Sequence, residues 1–512
     1  MNALGHAPYS PALGSLIRTL TTIGLLGASV AAAAQAPAPP PFPAIDQIFA
    51  DFALDTHIPG LVYGVVADGK LVHVHGIGVQ DLQSRRTVTP ESLFRIASMT
   101  KAFTALTVLK LRDDGKLQLD APAEAYVPEL RGWKYPTQDS PRIRVRDLLN
   151  HTAGFVTDDP WGDRQTPLPE AEFTRLLREG VPFTRAPETA MEYSNLGYAL
   201  LGRIIGNVSG QPYAQTIDAS LLRPLGMSSS SFFVDTAPQE RRALGYRWED
   251  DAWRPEATMA HGAFGAMGGL QTSATDYAKW VAYLLSAWPP RDDADAGPVK
   301  RASVRELAQG SNFPQLQSPR PGNTGPEACR RAGTYGMGFG VSVDCDLGLY
   351  LSHGGGYPGY GSFVLLLPEY GVGIFAFANR TYAGPSRPVH QAAIALQKAG
   401  FLKSRSLPIS QDLAAAYGAA GAIFKQGDTA AAGDVLALNF LMDRDAAGWR
   451  RDLAKLKAQV GECEVAAPVT ASGALSGDFT WRCDHGRVKG RILLAPTHPP
   501  RIQALELKSN TP

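Results

Sequence analysis

The chain of 512 residues carries 49 basic and 48 acidic side chains, a net charge of +1, with 44% hydrophobic and 19% charged residues. That balance is ordinary for a globular protein with ample core material. With no long charged block, it offers no electrostatic footprint for nucleic acid or an acidic partner. The length predicts one large domain and a smaller one.

In chain order, Arg18 precedes an apolar run from Thr19 to Ala31 that leads into Ala32-Ala33-Ala34-Gln35. A basic residue, an apolar stretch and a small-residue cleavage site predict a secretory signal peptide over residues 1–34. The apolar run is short for a bilayer span, so no stable membrane insertion is expected after cleavage. No cysteine follows it to carry a lipid anchor. Residues 35–43 read as a Pro/Ala linker.

Leu61 to Val79 alternates and is rich in β formers, with Asp68-Gly69 placed to turn a hairpin. Phe94 to Leu111 predicts a dense apolar helix that stops at Asp114-Gly115. Helical stretches follow at Ser194–Ser209, Ala214–Leu222 and Thr275–Ser286, set among Pro/Gly-rich loops. Strand character returns at Gly338–Val343, Leu349–Ser352, Ser362–Leu367 and Val372–Ala378, and Val389–Ala399 reads as a closing helix. Strands at both ends of a helical middle predict an α/β layered domain over residues 44–405, its sheet completed by both ends. Beyond Pro408, Ala-rich helices and then short strands predict a separate small α+β domain over residues 408–512.

Cys329, Cys345, Cys463 and Cys483 make an even number, in keeping with an oxidising compartment. Neighbours in sequence would pair Cys329 with Cys345 and Cys463 with Cys483. Four cysteines allow three connectivities, and the sequence leaves them open. No C-x-x-C pair supports zinc.

Three short motifs carry chemistry. Ser98-Met99-Thr100-Lys101 stands at the front of the apolar helix, where residues three apart share a face. Lys101 would lie beside the Ser98 hydroxyl and take its proton if burial keeps the amine neutral. The pattern alone is weak, since about one chance occurrence is expected at this length. A solvated surface pair, however, fits badly with Phe94, Ile96, Phe103 and Leu106 around it. Tyr193-Ser194-Asn195 opens the next helix and by itself reads as an N-cap. His353-Gly354-Gly355-Gly356 falls between two predicted strands and by itself reads as a glycine-rich turn.

Their order and spacing resemble those of class C β-lactamases and their relatives: DD-peptidases, D-aminopeptidases and family esterases. FRIASMTKAFTALTVLKL, IRVRDLLNHTAGF, YSNLGYALLGRIIG and SHGGGYPGYGSFVLLLPEYGVGIFAFANR all look like family blocks, over about Ala44 to Leu402. The resemblance implies an antiparallel sheet flanked by helices with a mainly helical insertion, the β-lactamase/transpeptidase-like fold. It implies that Ser98 is acylated, that Lys101 deprotonates it and that Tyr193 relays protons. Asn195 would orient the substrate amide and Lys101, and the N–H groups of Ser98 and Gly356 would form the oxyanion hole on a strand edge that includes Gly354 and Gly355.

One departure bears on substrate. Lactamases and DD-peptidases begin the third motif with Lys, then Thr-Gly; here it begins His353-Gly354-Gly355. A fixed cation and a hydroxyl suited to a penicillin carboxylate are missing, which favours the peptidase, amidase and esterase branches. His73, His75, His151 and His261 are assigned structural roles, since no carboxylate or cysteine is placed in sequence to complete a metal site. Gly262–Gly269 reads as a flexible loop bordering the cleft, and Asp158–Arg164 as a polar loop whose Trp161 either covers substrate or simply packs.

The expectation is therefore a periplasmic or secreted serine hydrolase that uses no metal or organic cofactor. Its substrate is a small molecule or peptide: an amide, with or without a D-residue, ahead of an ester. The alternatives are a true β-lactamase or DD-carboxypeptidase, and a non-catalytic relative that binds or scaffolds. Oligomeric state is open.

Overall fold

The computed structural model describes residues 41–310, 312, 315–317 and 329–509. The predicted signal peptide and most of the linker lie outside them. The linker's last residues belong to a helix instead: α1 spans Phe42–Asp55, with Pro43 in its first turn, a place where the missing N–H costs nothing.

The main sheet is antiparallel. Its strands are β1 (Gly60–Ala67), β2 (Lys70–Gly78), β3 (Gln315–Gln317), β4 (Arg331–Tyr335), β5 (Gly340–Asp344), β6 (Gly348–Tyr357), β7 (Tyr360–Leu367) and β8 (Val372–Ala378). The order across the sheet is β2-β1-β8-β7-β6-β5-β4-β3, so the first strands close against the last, with Leu61 opposite Ala378 and Ala67 opposite Val372. β1, β7 and β8 are buried along their whole length. Their continuous apolar runs follow from cover on both faces. On one side Leu61, Tyr63, Val65 and Ile374 pack under α1 and α7 (Ser386–Lys398). On the other, Val62, Val66, Phe375 and Phe377 meet the helical layer.

At the centre of that layer is α2 (Thr100–Asp113), in which every position from Thr100 to Leu109, and Leu111 beyond, is buried. A helix apolar all round belongs in an interior. Packed about it are α3 (Val145–Leu149), α4 (Asp159–Arg164), α5 (Asn195–Ser209) and α6 (Ala274–Leu285).

Residues after Pro408 form the predicted α+β unit, with its own core. Helices α8 (Gln411–Gln426) and α9 (Ala446–Val460) pack Phe424, Trp449 and Leu453 against Phe479, Trp481 and Ile492 of a second antiparallel sheet. Its strands are β9 (Cys463–Glu464), β10 (Thr470–Gly473), β11 (Ser476–Cys483), β12 (Gly486–Ala495) and β13 (Arg501–Ser509). Ser410 caps α8 by accepting from the Leu413 N–H at 3.1 Å.

Both sequence-neighbour cysteine pairs are bonded. Cys329–Cys345 closes the β4–β5 hairpin, and Cys463–Cys483 joins register partners of β9 and β11. Closing a loop of this size stabilises by about 3 kcal/mol. The double Cys463→Ser, Cys483→Ser variant is therefore expected to lower the melting temperature of the small domain. Peptide mapping without reductant should recover both pairs from protein made in an oxidising compartment, and four free thiols would count against export.

Several local readings change. The third motif, a turn when read alone, is the strand that the resemblance implied: His353 to Gly356 lie inside β6, paired to β7 throughout. Gly262–Gly269 is not a loose loop, for Gly265–Gly268 form a buried helical turn. Asp158–Arg164 is mostly helix α4. A carboxylate does stand by the two strand histidines: Asp46 of α1, 2.8 Å from His73 Nε2 and 3.7 Å from His75 Nδ1. Tyr63 also donates to Asp46, so the group fastens α1 to the sheet, a structural role that the unread helix concealed.

Candidate active site

Ser98 sits on a single 3-10 turn, Ala97–Met99, just before α2 rather than within it. Ala97 holds φ at +48°, a left-handed conformation that costs an alanine about 1–3 kcal/mol. The strained turn places Ser98 at the positive end of α2.

Lys101, fully buried, is one turn on. Its Nζ reaches Ser98 Oγ at 3.1 Å, Asn195 Oδ1 at 2.7 Å and the Met267 carbonyl at 2.9 Å. The ring centroids of Tyr193 and Tyr198 lie 4.9 and 5.5 Å from the nitrogen. Burial drives the ammonium down to about 8 from its ordinary 10.5, against the opposing pull of Asp163, Asp159 and Asp158. Desolvation wins over three carboxylates and two aromatic faces because no carboxylate contacts the nitrogen.

Tyr193 shares a hydrogen bond with Ser98, and burial raises its hydroxyl well above 10. Around it stand His151 (4.3 Å between ring centres), His353 (6.1 Å) and Tyr335 (6.3 Å). His151 Nδ1 accepts from the Ser194 N–H at 3.2 Å, so its proton belongs on Nε2. Burial keeps His151 far below its usual range.

Asn195 begins α5, whose first N–H groups are capped by Asp158 at 2.7 and 3.1 Å. With Oδ1 on Lys101, its Nδ2 donates to Asp159 Oδ1 at 3.1 Å. The oxygen and one hydrogen of the amide are thus committed to protein groups. The second hydrogen of Nδ2 is the donor left for the substrate contact expected of Asn195.

The third motif divides. His353 is buried, its Nε2 accepting from the Tyr335 hydroxyl at 2.9 Å and its Nδ1–H donating to the Gly354 carbonyl at 2.6 Å. Burial lowers it to about 3. It is a neutral wall and offers no cation to a ligand. The glycines behave differently. The β5 ladder ends at Ser352 opposite Gly340, so from His353 to Tyr357 the β6 edge has no strand beside it among the described residues. Gly355 sits where that edge meets the Ser98 turn: a Cβ there would lie 2.4 Å from the Ile96 carbonyl oxygen and 2.2 Å from Ser362 Oγ. Gly355→Ala is therefore expected to destabilise by about 1–3 kcal/mol. Because the backbone carbonyl cannot move away cheaply, it should also impair acylation by displacing the turn, as labelling rates and a melting curve will register.

Four contributors went unread in sequence. Asp163 of α4 is only 4% exposed, and the Tyr382 hydroxyl donates to its Oδ2 at 3.1 Å. Burial lifts the Asp163 carboxyl above its usual range. The signal for Asp163 was the pair Asp159 and Asp163, one helical turn apart. Tyr335 and the Met267 carbonyl had none. Trp161 is 46% exposed and meets Phe264 edge-on at 5.6 Å.

The beta-lactamase family model matches residues 45–399. Protein flp of Staphylococcus aureus (strain N315) is 29% identical over 340 residues, 65% of this chain and 62% of that protein. An uncharacterized protein of Mycobacterium tuberculosis is 31% identical over 251 residues, 44% of this chain and 62% of its own length. The chain thus spans about three fifths of the length of these curated relatives. Among solved structures, an octameric penicillin-binding protein homologue from Pyrococcus abyssi aligns over 92% of this chain and 98% of its own. Its TM-score is 0.59 at 20% identity. A class C beta-lactamase aligns over 71% and 96%, with a TM-score of 0.54 at 21% identity. At these identities the likeness is one of fold.

Proposed function

The chain belongs to the beta-lactamase family, a family of serine hydrolases, and from that premise we propose that it hydrolyses amides, peptides or esters through an acyl-enzyme on Ser98. The observation that carries the reading is the continuous set Ser98–Lys101–Asn195 set against the open edge of β6.

As an ammonium, Lys101 donates to all three of its oxygen partners. As a neutral amine it has two hydrogens, and the Asn195 and Met267 oxygens can only accept. Both hydrogens are then committed, and the lone pair is left for the Ser98 hydroxyl. Ser98 Oγ attacks the acyl carbon while its proton passes to Lys101. The new oxyanion lies between the N–H groups of Ser98 and Gly356, where fixed donors stabilise developing charge. Tyr193, kept protonated by burial, delivers a proton to the departing nitrogen or oxygen as the acyl bond breaks, and recovers it from Lys101. Water then takes the place of the leaving group and the steps run in reverse, returning the free acid and Ser98.

In this reading residues 44–405 are the catalytic unit and residues 408–512 an accessory domain. The signal-peptide pattern and the two disulfides support export to the periplasm or medium. No described helix is long and apolar enough to cross a membrane.

A second reading, a true β-lactamase, is favoured by relatives that bear that name. The buried, neutral His353 speaks against it. A charge-assisted hydrogen bond contributes roughly 1.5–3 kcal/mol, so its absence should cost about ten- to a hundredfold in kcat/KM toward penicillins. A panel of D- and L-amino acid amides, p-nitrophenyl esters, D-Ala-D-Ala peptides and a chromogenic cephalosporin tests this. Lactamase-like turnover of the cephalosporin would promote the second reading.

A further inference from the structure

Tyr382 follows β8 and holds φ at +53°, a conformation that is a genuine outlier for a bulky side chain. It persists only where contacts over-determine it. Here its N–H points at the carbonyls of Tyr357 (3.4 Å) and Tyr360 (3.2 Å), which ties it to the β6–β7 hairpin. From there the side chain crosses to the helical layer, where its hydroxyl meets Asp163. The ring lies over Gly356: a Cβ on that glycine would come within 2.7 Å of Tyr382 Cδ1. Core packing does not account for the strain, because Tyr382 is 45% exposed. What the residue does is bar the open strand edge at one end.

That end can be identified. Tyr193 stands by His353, at the start of the unpaired stretch. If Tyr193 serves the leaving group, the leaving group lies toward His353 and the acyl group extends toward Gly356 and Tyr357, where Tyr382 and Asp163 meet. We infer that Tyr382, pinned by Asp163, is a specificity-determining residue that limits the length of the acyl group. Short acyl groups fit beneath the crossbar, and long or aromatic ones collide with it. This inference rests on the Ser98 acyl-enzyme reading.

The test uses the full chain and two fluorophosphonates, one methyl- and one octyl-substituted at phosphorus. Each labels a serine as its oxygen displaces fluoride, so no natural substrate is needed. Rates of labelling at Ser98 are read by intact mass and peptide mapping. The wild type should favour the methyl probe. In Tyr382→Ala the octyl-to-methyl ratio should rise about tenfold or more, the discrimination that one pocket wall supplies. Tyr382→Phe, which keeps the ring but loses the bond to Asp163, should fall between and serves if the alanine variant does not fold. Labelling of Ser98 with an unmoved ratio in every folded variant overturns the crossbar and leaves the acyl-enzyme reading standing. No labelling of Ser98 in any protein overturns both.

Discussion

Ser98→Ala is expected to lower turnover by roughly four orders of magnitude or more, because the general base and oxyanion donors serve no purpose without the atom they activate. The covalent adduct should vanish altogether. Nothing near Ser98 can substitute. Tyr193 pairs with its hydroxyl, yet burial keeps the phenol protonated well above the usual range. The substitution removes one oxygen from a turn set by backbone geometry at Ala97, so folding should be untouched. Incubation with a phosphonate followed by intact-mass analysis decides the matter. An adduct that persists in Ser98→Ala places the nucleophile elsewhere.

How much of this could be read from sequence depended on how local each cause was. Ser98 and Lys101 are three residues apart, and helical geometry alone brings them together, so the pair was legible. The apolar runs of β1 and β8 were legible for the same reason, although only cover on both faces explains why β1 shows no exposed positions. Read alone, Gly354 to Gly356 suggest a turn, glycine's local preference, and only the family resemblance implied a strand edge. Pairing with β7 overrides that preference, and the close approach of Ile96 explains the glycine at 355. Phe42-Pro43 misled: a proline after a Pro-rich stretch read as more linker, when it was opening α1. Tyr382 and Asp163 lie 219 residues apart, and no periodicity reports a contact of that kind. The commitment of Asn195 to both Lys101 and Asp159 was hidden likewise, since the motif names the residue but not its partners.

Lys101→Met and Tyr193→Phe are each expected to reduce kcat by on the order of a hundredfold or more, the usual contribution of a positioned proton carrier. Because both act on the same proton path, the double variant should lose far less than the product of the two. Electrostatics adds a sharper form of the test. Burial holds Lys101 at about 8, and only the neutral amine has a free lone pair. Activity must therefore rise with pH through that value, giving an acid limb in kcat/KM. Asp163 is the largest of the charges that raise the Lys101 value. Asp163→Asn removes it, stabilises the neutral amine and should move the limb to lower pH. A limb that moves upward contradicts Lys101 as the base, because losing a negative neighbour cannot make an ammonium harder to deprotonate. A limb that stays put means that the titrating group is not beside Asp163. Multiplicative losses in the folded double variant mean that Lys101 and Tyr193 serve separate steps.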